Sequence, residues 1–190
     1  MDYIIQLDKE ITLFINSLHN NFSDYFMWLV SAKYTWLPLY LFLIYKIYVR
    51  EKNIKTFSLV VLFAIVSVTL SDQISVHLFK NVFMRLRPCH CPEIKDIVHI
   101  VKDHCGGQYG FISSHSSNAF SVTVFLSLYF SKKQWTIILI STASLIAISR
   151  VFLGVHYLGD ILAGAIVGSL IAVFSFTLFK KTLKQLVQEQ

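Results

Sequence analysis

A chain of 190 residues with 55% hydrophobic, 15% aromatic and only 15% charged side chains is too apolar for an ordinary soluble domain, as its mean hydropathy of +0.58 confirms. It is also too short for more than one compact unit, so residues 1–190 read as one integral-membrane domain. A formal net charge of +6 would suit a nucleic-acid binder, but few of the 17 Lys and Arg form a solvated basic stripe; the expected partner is a lipid bilayer and no nucleic acid.

In residues 1–22, Ile4, Leu7, Ile11, Phe14 and Leu18 recur at three- and four-residue spacing around Asp8, Lys9 and Glu10. This predicts an amphipathic helix. It is too polar to cross a membrane and lacks the charged start and cleavage site of a signal peptide. Its expected place is the outer interface, packed on its neighbours without touching substrate.

Residues 25–49 form the first candidate span; Lys33 and Pro38 within it predict a kink. Residues 57–79 form the second, with Asp72 and Gln73 inside it as either functional groups or interhelical hydrogen-bonding partners. A polar loop, 80–112, follows. Its Arg85 reads as a snorkelling anchor, and His90, His99 and His104, like His77 just before the loop, have no spacing that singles them out. Cys89, Cys91 and Cys105 all fall here, and a Cys89–Cys105 disulfide with Cys91 free is the favoured reading. The rival is a metal site using these thiols with His90 or His104, but Gly106 and Gly107 suit a tight turn better.

The third span, 117–130, is long enough only if its helix starts near Ser113; the fourth and fifth cover 135–153 and 158–179. A crossing needs about 20 apolar residues for a hydrocarbon core of about 30 Å. Five crossings put Arg50, Lys52 and Lys55, Lys132 and Lys133, and Lys180, Lys181 and Lys184 on one side. By the positive-inside rule this is the cytoplasm, C-terminus included. The 80–112 loop and the junction between the last two spans then lie together outside, in a bacterial inner membrane facing the periplasm or cell exterior.

Three helix ends deliver polar residues to that face. KNVFMRLRP contributes Lys80, Arg87 and Pro88; GFISSHSSN contributes Ser113, Ser114 and His115; SRVFLGVHYLGD contributes Ser149, Arg150, His156 and Asp160. A phosphate needs several cationic donors, and the planar fork of Arg binds two oxygens at once. Lys80, Arg87 and Arg150 supply such a cradle. Ser113 and Ser114 stand at a helix start whose free N–H groups also attract an anion, so the expected metal and cofactor content is none. His156 and Asp160 are four residues apart, so on a helix the carboxylate can orient the imidazole as a nucleophile. His115 is then the acid for the leaving group and the base for water. Spacing alone permits the two histidines to exchange roles, but only His156 has an acidic partner nearby in sequence. The rival class, an anion channel or transporter, fits less well because the cluster lies at one edge of the membrane rather than at its middle.

Over residues 57–179 these blocks resemble the signature of the type 2 phosphatidic acid phosphatase superfamily. Lys80, Arg87 and Pro88 match its first block, and Ser149, Arg150, His156 and Asp160 its third. In the second, Ser113 and His115 match, whereas Ile112 replaces proline and Ser114 replaces glycine. The resemblance implies an all-α polytopic bundle with a six-helix phosphatase core, here the N-terminal interfacial helix plus five spans. It also implies a metal-independent enzyme: His156 as nucleophile, Asp160 as its partner, His115 as acid, and Lys80, Arg87, Ser113, Ser114 and Arg150 on the phosphate. The substrate is then a membrane lipid phosphate or diphosphate. Undecaprenyl diphosphate ranks first, followed by lipid A, phosphatidylglycerol phosphate and phosphatidic acid, with phosphotransfer by the same site as an alternative outcome. No residue assigns an oligomeric state.

Overall fold

The computed structural model describes residues 2–188, which are largely helical with no strand. The amphipathic N-terminal segment forms α1 (Asp2–Ser17). Asn20 then starts α2 (Asn21–Ser31): its side chain accepts from the Phe22 and Ser23 N–H groups, while Ser23 accepts in return from the Asn20 N–H. Extended backbone at Ala32 ends α2, and a short 3-10 turn (Lys33–Trp36) leads into α3 (Leu37–Arg50), which begins with Pro38 in its first turn. The two parts meet at 68°. What the sequence offers as one kinked span, 25–49, is therefore a broken pair with Lys33 in the bend.

Asn53 caps α4 (Ile54–Ile74), which continues through a π-helical segment, Ser75–Lys80, into the single turn α5 (Asn81–Phe83). Together these make one apolar helix, Ile54–Phe83. After the polar loop come α6 (Ser114–Phe130), α7 (Lys133–Phe152) and α8 (Leu158–Gln188). At about 1.5 Å per residue, the 31 residues of α8 exceed the thickness of a hydrocarbon core, so its last turns carry Lys180, Lys181 and Lys184 beyond it.

Ile54–Phe83, α7 and α8 are long and apolar enough to cross a membrane, and the bent pair gives a fourth crossing if it is counted as one. The five expected spans are thus not all found as single long helices. The shortfall lies at α6, only 17 residues long. It is packed between α8, α7 and α4, and a helix sheathed in protein needs no continuous lipid-facing stripe. Around it, Leu62 and Ile65 on α4, Ile137 on α7, and Ile166 and Leu170 on α8 form an exposed apolar belt, the surface of a multi-pass membrane protein.

Two features set the helix spacing. Between α4 and α6 runs a ladder of hydroxyls: Ser67 to Ser121 at 2.7 Å, Ser71 to Ser117, and, from the π-helical extension of α4, Ser75 to Ser114 at 2.7 Å. Small hydroxyl side chains let helix backbones approach closely in lipid and satisfy each other there. Between α6 and α8 the contact is closer still, since a Cβ on Gly168 would stand 2.1 Å from the Ser117 carbonyl oxygen. An aromatic cluster of Phe125, Tyr129, Phe176 and Phe179 fills the end of the bundle away from the polar loop.

Gly168→Ala is expected to lower the thermal midpoint in detergent, with a cost of about 1–3 kcal/mol from overpacking. Gly107→Ala, where a Cβ meets nothing within 4 Å, is the control and leaves the midpoint unchanged. Equal midpoints for both variants would show that the α6–α8 approach is not tight.

Candidate active site

Each block of polar residues sits where a helix begins or ends at the loop side of the bundle. Lys80 closes the π-helical segment, and Arg87 lies early in the polar loop. Ser113 is the N-cap of α6, with Ser114 and His115 in its first turn. Arg150 lies in the last turn of α7, His156 in the α7–α8 connection, and Asp160 in the first turn of α8. The structure brings all eight to one place. Lys80 Nζ donates to Ser114 Oγ at 2.6 Å, and the Ser113 N–H donates to the Asp160 carbonyl at 3.0 Å.

Asp160 is the hub. Its side chain is fully buried, with Oδ2 accepting from His156 Nδ1 at 3.2 Å and from the Tyr157 N–H at 3.1 Å. Oδ1 accepts from Arg85 at 2.9 Å. An ionised carboxylate only accepts, so Nδ1 carries the ring proton and Nε2 keeps its lone pair. Burial, and then the charges of Arg87, Arg150 and Lys80, hold the His156 pKa well below its ordinary value. The ring is therefore neutral at neutral pH, the form able to attack phosphorus. His115 lies within electrostatic reach of Arg150, His156 and Lys80.

Arg87 is held by backbone carbonyls: Nε donates to Tyr109 at 3.3 Å, and one terminal nitrogen to Val155 at 3.3 Å and Cys105 at 3.4 Å. Burial pulls its pKa down and Asp160 pushes it back, but a guanidinium remains charged at any ordinary pH. Arg150 donates to Ser31 Oγ while its Nε is buried without a partner among the described residues, as is Ser113 Oγ. Unpaired buried donors beside two other cations are what a bound anion would satisfy.

The loop is tied locally. Leu86 pairs with Tyr109 in an isolated antiparallel bridge, and Cys89 is joined to Cys105. With both thiols used by the disulfide, a thiolate metal site there has no basis. Cys91 is free and buried.

Three residues have larger roles than their sequence positions suggest. Arg85, expected to snorkel, instead bridges Asp160 and Asp8, the latter at 2.7 Å, with its guanidinium 3.9 Å from the Tyr157 ring centre. Asp8 also accepts from the Gly159 N–H at 2.8 Å, so α1 is bound to the start of α8 and not merely laid on an interface. The only prior signal was a carboxylate on the polar side of an amphipathic helix. Gly110 is the third: a Cβ there would lie 2.9 Å from Asp160 Oδ2 and 3.4 Å from His156 Nδ1. His99, which no spacing singles out, bonds Asp24 at 2.8 Å and stacks on His19 at 3.7 Å.

The PAP2 superfamily signature matches residues 59–184. The chain belongs to the PAP2 superfamily. Over 180 residues it is 35% identical to a lipid A 4'-phosphatase of Porphyromonas gingivalis, covering 94% of this chain and 75% of that one. A lipid A 4'-phosphatase of Bacteroides thetaiotaomicron is 34% identical over 170 residues, covering 88% and 75%. The fold is similar to the crystal structure of a transmembrane PAP2-type phosphatidylglycerolphosphate phosphatase from Bacillus subtilis, with a TM-score of 0.68, 23% identity, and coverage of 97% of this chain and 88% of that one. As a PAP2 protein the chain is a membrane-embedded lipid phosphatase, and the cluster around Asp160 is its candidate active site.

Gly110→Ala in this PAP2 enzyme is expected to cut kcat by about tenfold or more, since a displacement of roughly 1 Å at reacting groups costs that much or more. The measurement is phosphate release under saturating lipid, with thermal midpoint as a check on folding. Full activity would show that the Gly110 approach does not hold the His156–Asp160 geometry.

Proposed function

We propose that this chain removes a phosphate monoester from a sugar-based membrane lipid of the lipid A type, through a phosphohistidine on His156. Lys80, Arg87, Arg150 and the N–H groups at the start of α6 hold the phosphoryl oxygens. His156 Nε2 attacks phosphorus as the ester P–O bond breaks, and His115, protonated once the negative charge of the bound phosphate offsets the surrounding cations, gives its proton to the departing alcohol oxygen. Water then attacks the phosphohistidine, His115 takes its proton, the P–N bond breaks and inorganic phosphate leaves. Asp160 stabilises the positive charge that the attacking imidazole acquires.

The observation that carries the chemistry is the buried His156–Asp160 pair facing three cations. The substrate class is supported by the two lipid A 4'-phosphatase relatives, each matched over most of this chain. Neither is named for undecaprenyl diphosphate, and the first-ranked substrate from sequence gives way to lipid A on that ground. We also place the site at the outer face of a bacterial inner membrane, with the C-terminus in the cytoplasm and α6 completing five crossings inside the bundle. The basic residues at the opposite helix ends support that orientation.

Purified protein in detergent with chelator should release phosphate faster from lipid A than from undecaprenyl diphosphate, phosphatidylglycerol phosphate or phosphatidic acid. Preference for undecaprenyl diphosphate would overturn the substrate, and loss of turnover on chelation would overturn the metal-free mechanism.

A further inference from the structure

Beside the phosphate site lies a cavity of about 440 Å³ whose lining includes His115 and Ser114. One wall is the bend between α2 and α3, with Lys33 and Trp36; another carries Asp72 of α4 and Asn118 of α6. The Asn118 amide donates from Nδ2 to Asp72 Oδ1 at 2.9 Å. This leaves Asn118 Oδ1 buried with no partner among the described residues, next to a carboxylate on the same cavity. On this wall the groups left unused, Asp72 Oδ2 and Asn118 Oδ1, are acceptors, whereas Lys33 brings its ammonium to the wall formed by the bend. A buried acceptor without a donor is costly, and a carboxylate near hydrocarbon more so. The cavity thus suits a molecule that brings O–H or N–H groups.

His115 fixes which part of the substrate that is. If it protonates the departing oxygen, the alcohol leaving group lies on the His115 side of phosphorus, in this cavity. We infer that Asp72 and Asn118 form a leaving-group subsite that recognises hydroxyl or amide N–H donors close to the scissile bond, as an acylated amino sugar presents them. The inference rests on the proposed phosphatase reading and deepens it. Undecaprenyl diphosphate instead expels undecaprenyl phosphate, whose anionic oxygens bring further acceptors and leave Asp72 and Asn118 unpaired. The diacylglycerol released from phosphatidic acid has none beyond the hydroxyl formed by cleavage itself. The pair therefore selects by the chemistry next to the phosphate and not by the acyl chains. Asp72, ambiguous in the sequence between function and interhelical bonding, does both: it ties α4 to α6 through Asn118 and presents its other oxygen to substrate.

The test uses the full chain in detergent with lipid A as substrate and inorganic phosphate as a competitive inhibitor that reports on the phosphate site alone. For Asp72→Asn and, independently, the near-isosteric Asn118→Leu, KM should rise about tenfold or more, the effect of losing a hydrogen bond to a charged or buried group. The inhibition constant for phosphate should not rise in either variant, since removing the Asp72 charge near Lys80 can only favour the anion. If KM and the phosphate constant worsen together in both variants, the pair supports the phosphate site or the fold and the subsite is wrong. If neither changes, it is equally wrong, with the phosphatase reading intact. A wild-type enzyme that cleaves phosphatidic acid but not lipid A would sink the substrate reading and the subsite with it.

Discussion

A fully buried carboxylate has to find partners for both oxygens, and the way Asp160 does so organises this protein. Its partners come from two parts of the chain: Arg85 from the polar loop, and His156 and the Tyr157 N–H from the α7–α8 connection. Removing one partner from a buried ion pair costs about 3–5 kcal/mol because the other charge is stranded. The network therefore rigidifies the imidazole that faces Arg87, Arg150 and Lys80. Arg85 and Asp8 extend it by one step, so that α1 braces the carboxylate from outside the catalytic helices.

The membrane helices deliver the rest by close packing. The serine ladder sets α4 against α6 in a register that ends with Lys80 donating to Ser114. The glycines of α8 bring its start beneath the N-terminus of α6, where the Ser113 N–H meets the Asp160 carbonyl. Small residues and hydroxyls do in lipid what large apolar side chains do in water: they let backbones approach without leaving polar groups unpaired. Stability at the far end comes from the aromatic cluster around Phe125 and Phe179. A rigid scaffold below and a network of fixed polar groups above is the arrangement that preorganised catalysis requires.

Much of this was legible in the residues. Lys80, Arg87, His115, Arg150, His156 and Asp160 stand out because charged groups at the ends of apolar helices are expensive without a use. The helical class and the break near Lys33 and Pro38 follow from periodicity and proline chemistry. What sequence could not supply was anything that depends on three-dimensional closeness between distant segments. Arg85 looks like an ordinary interfacial arginine until Asp160 and Asp8, 75 and 77 residues away, are seen on either side of it. Gly110 carries no side chain to announce itself, and its role is the space it leaves for Asp160 and His156. The length of α6 was hard to read because its surroundings are protein, so its serines neither mark it as polar nor disqualify it from the core. The lipid was the least legible feature, since cations and histidines report phosphate chemistry without naming what the phosphate is attached to.

Mapping the covalent intermediate tests the account most directly. Turnover of radiolabelled lipid phosphate, quenched under alkaline conditions that preserve phosphohistidine and followed by peptide mass spectrometry, should place the phosphoryl group on His156. Label on His115, or no adduct even from a substrate with a good leaving group, would contradict it.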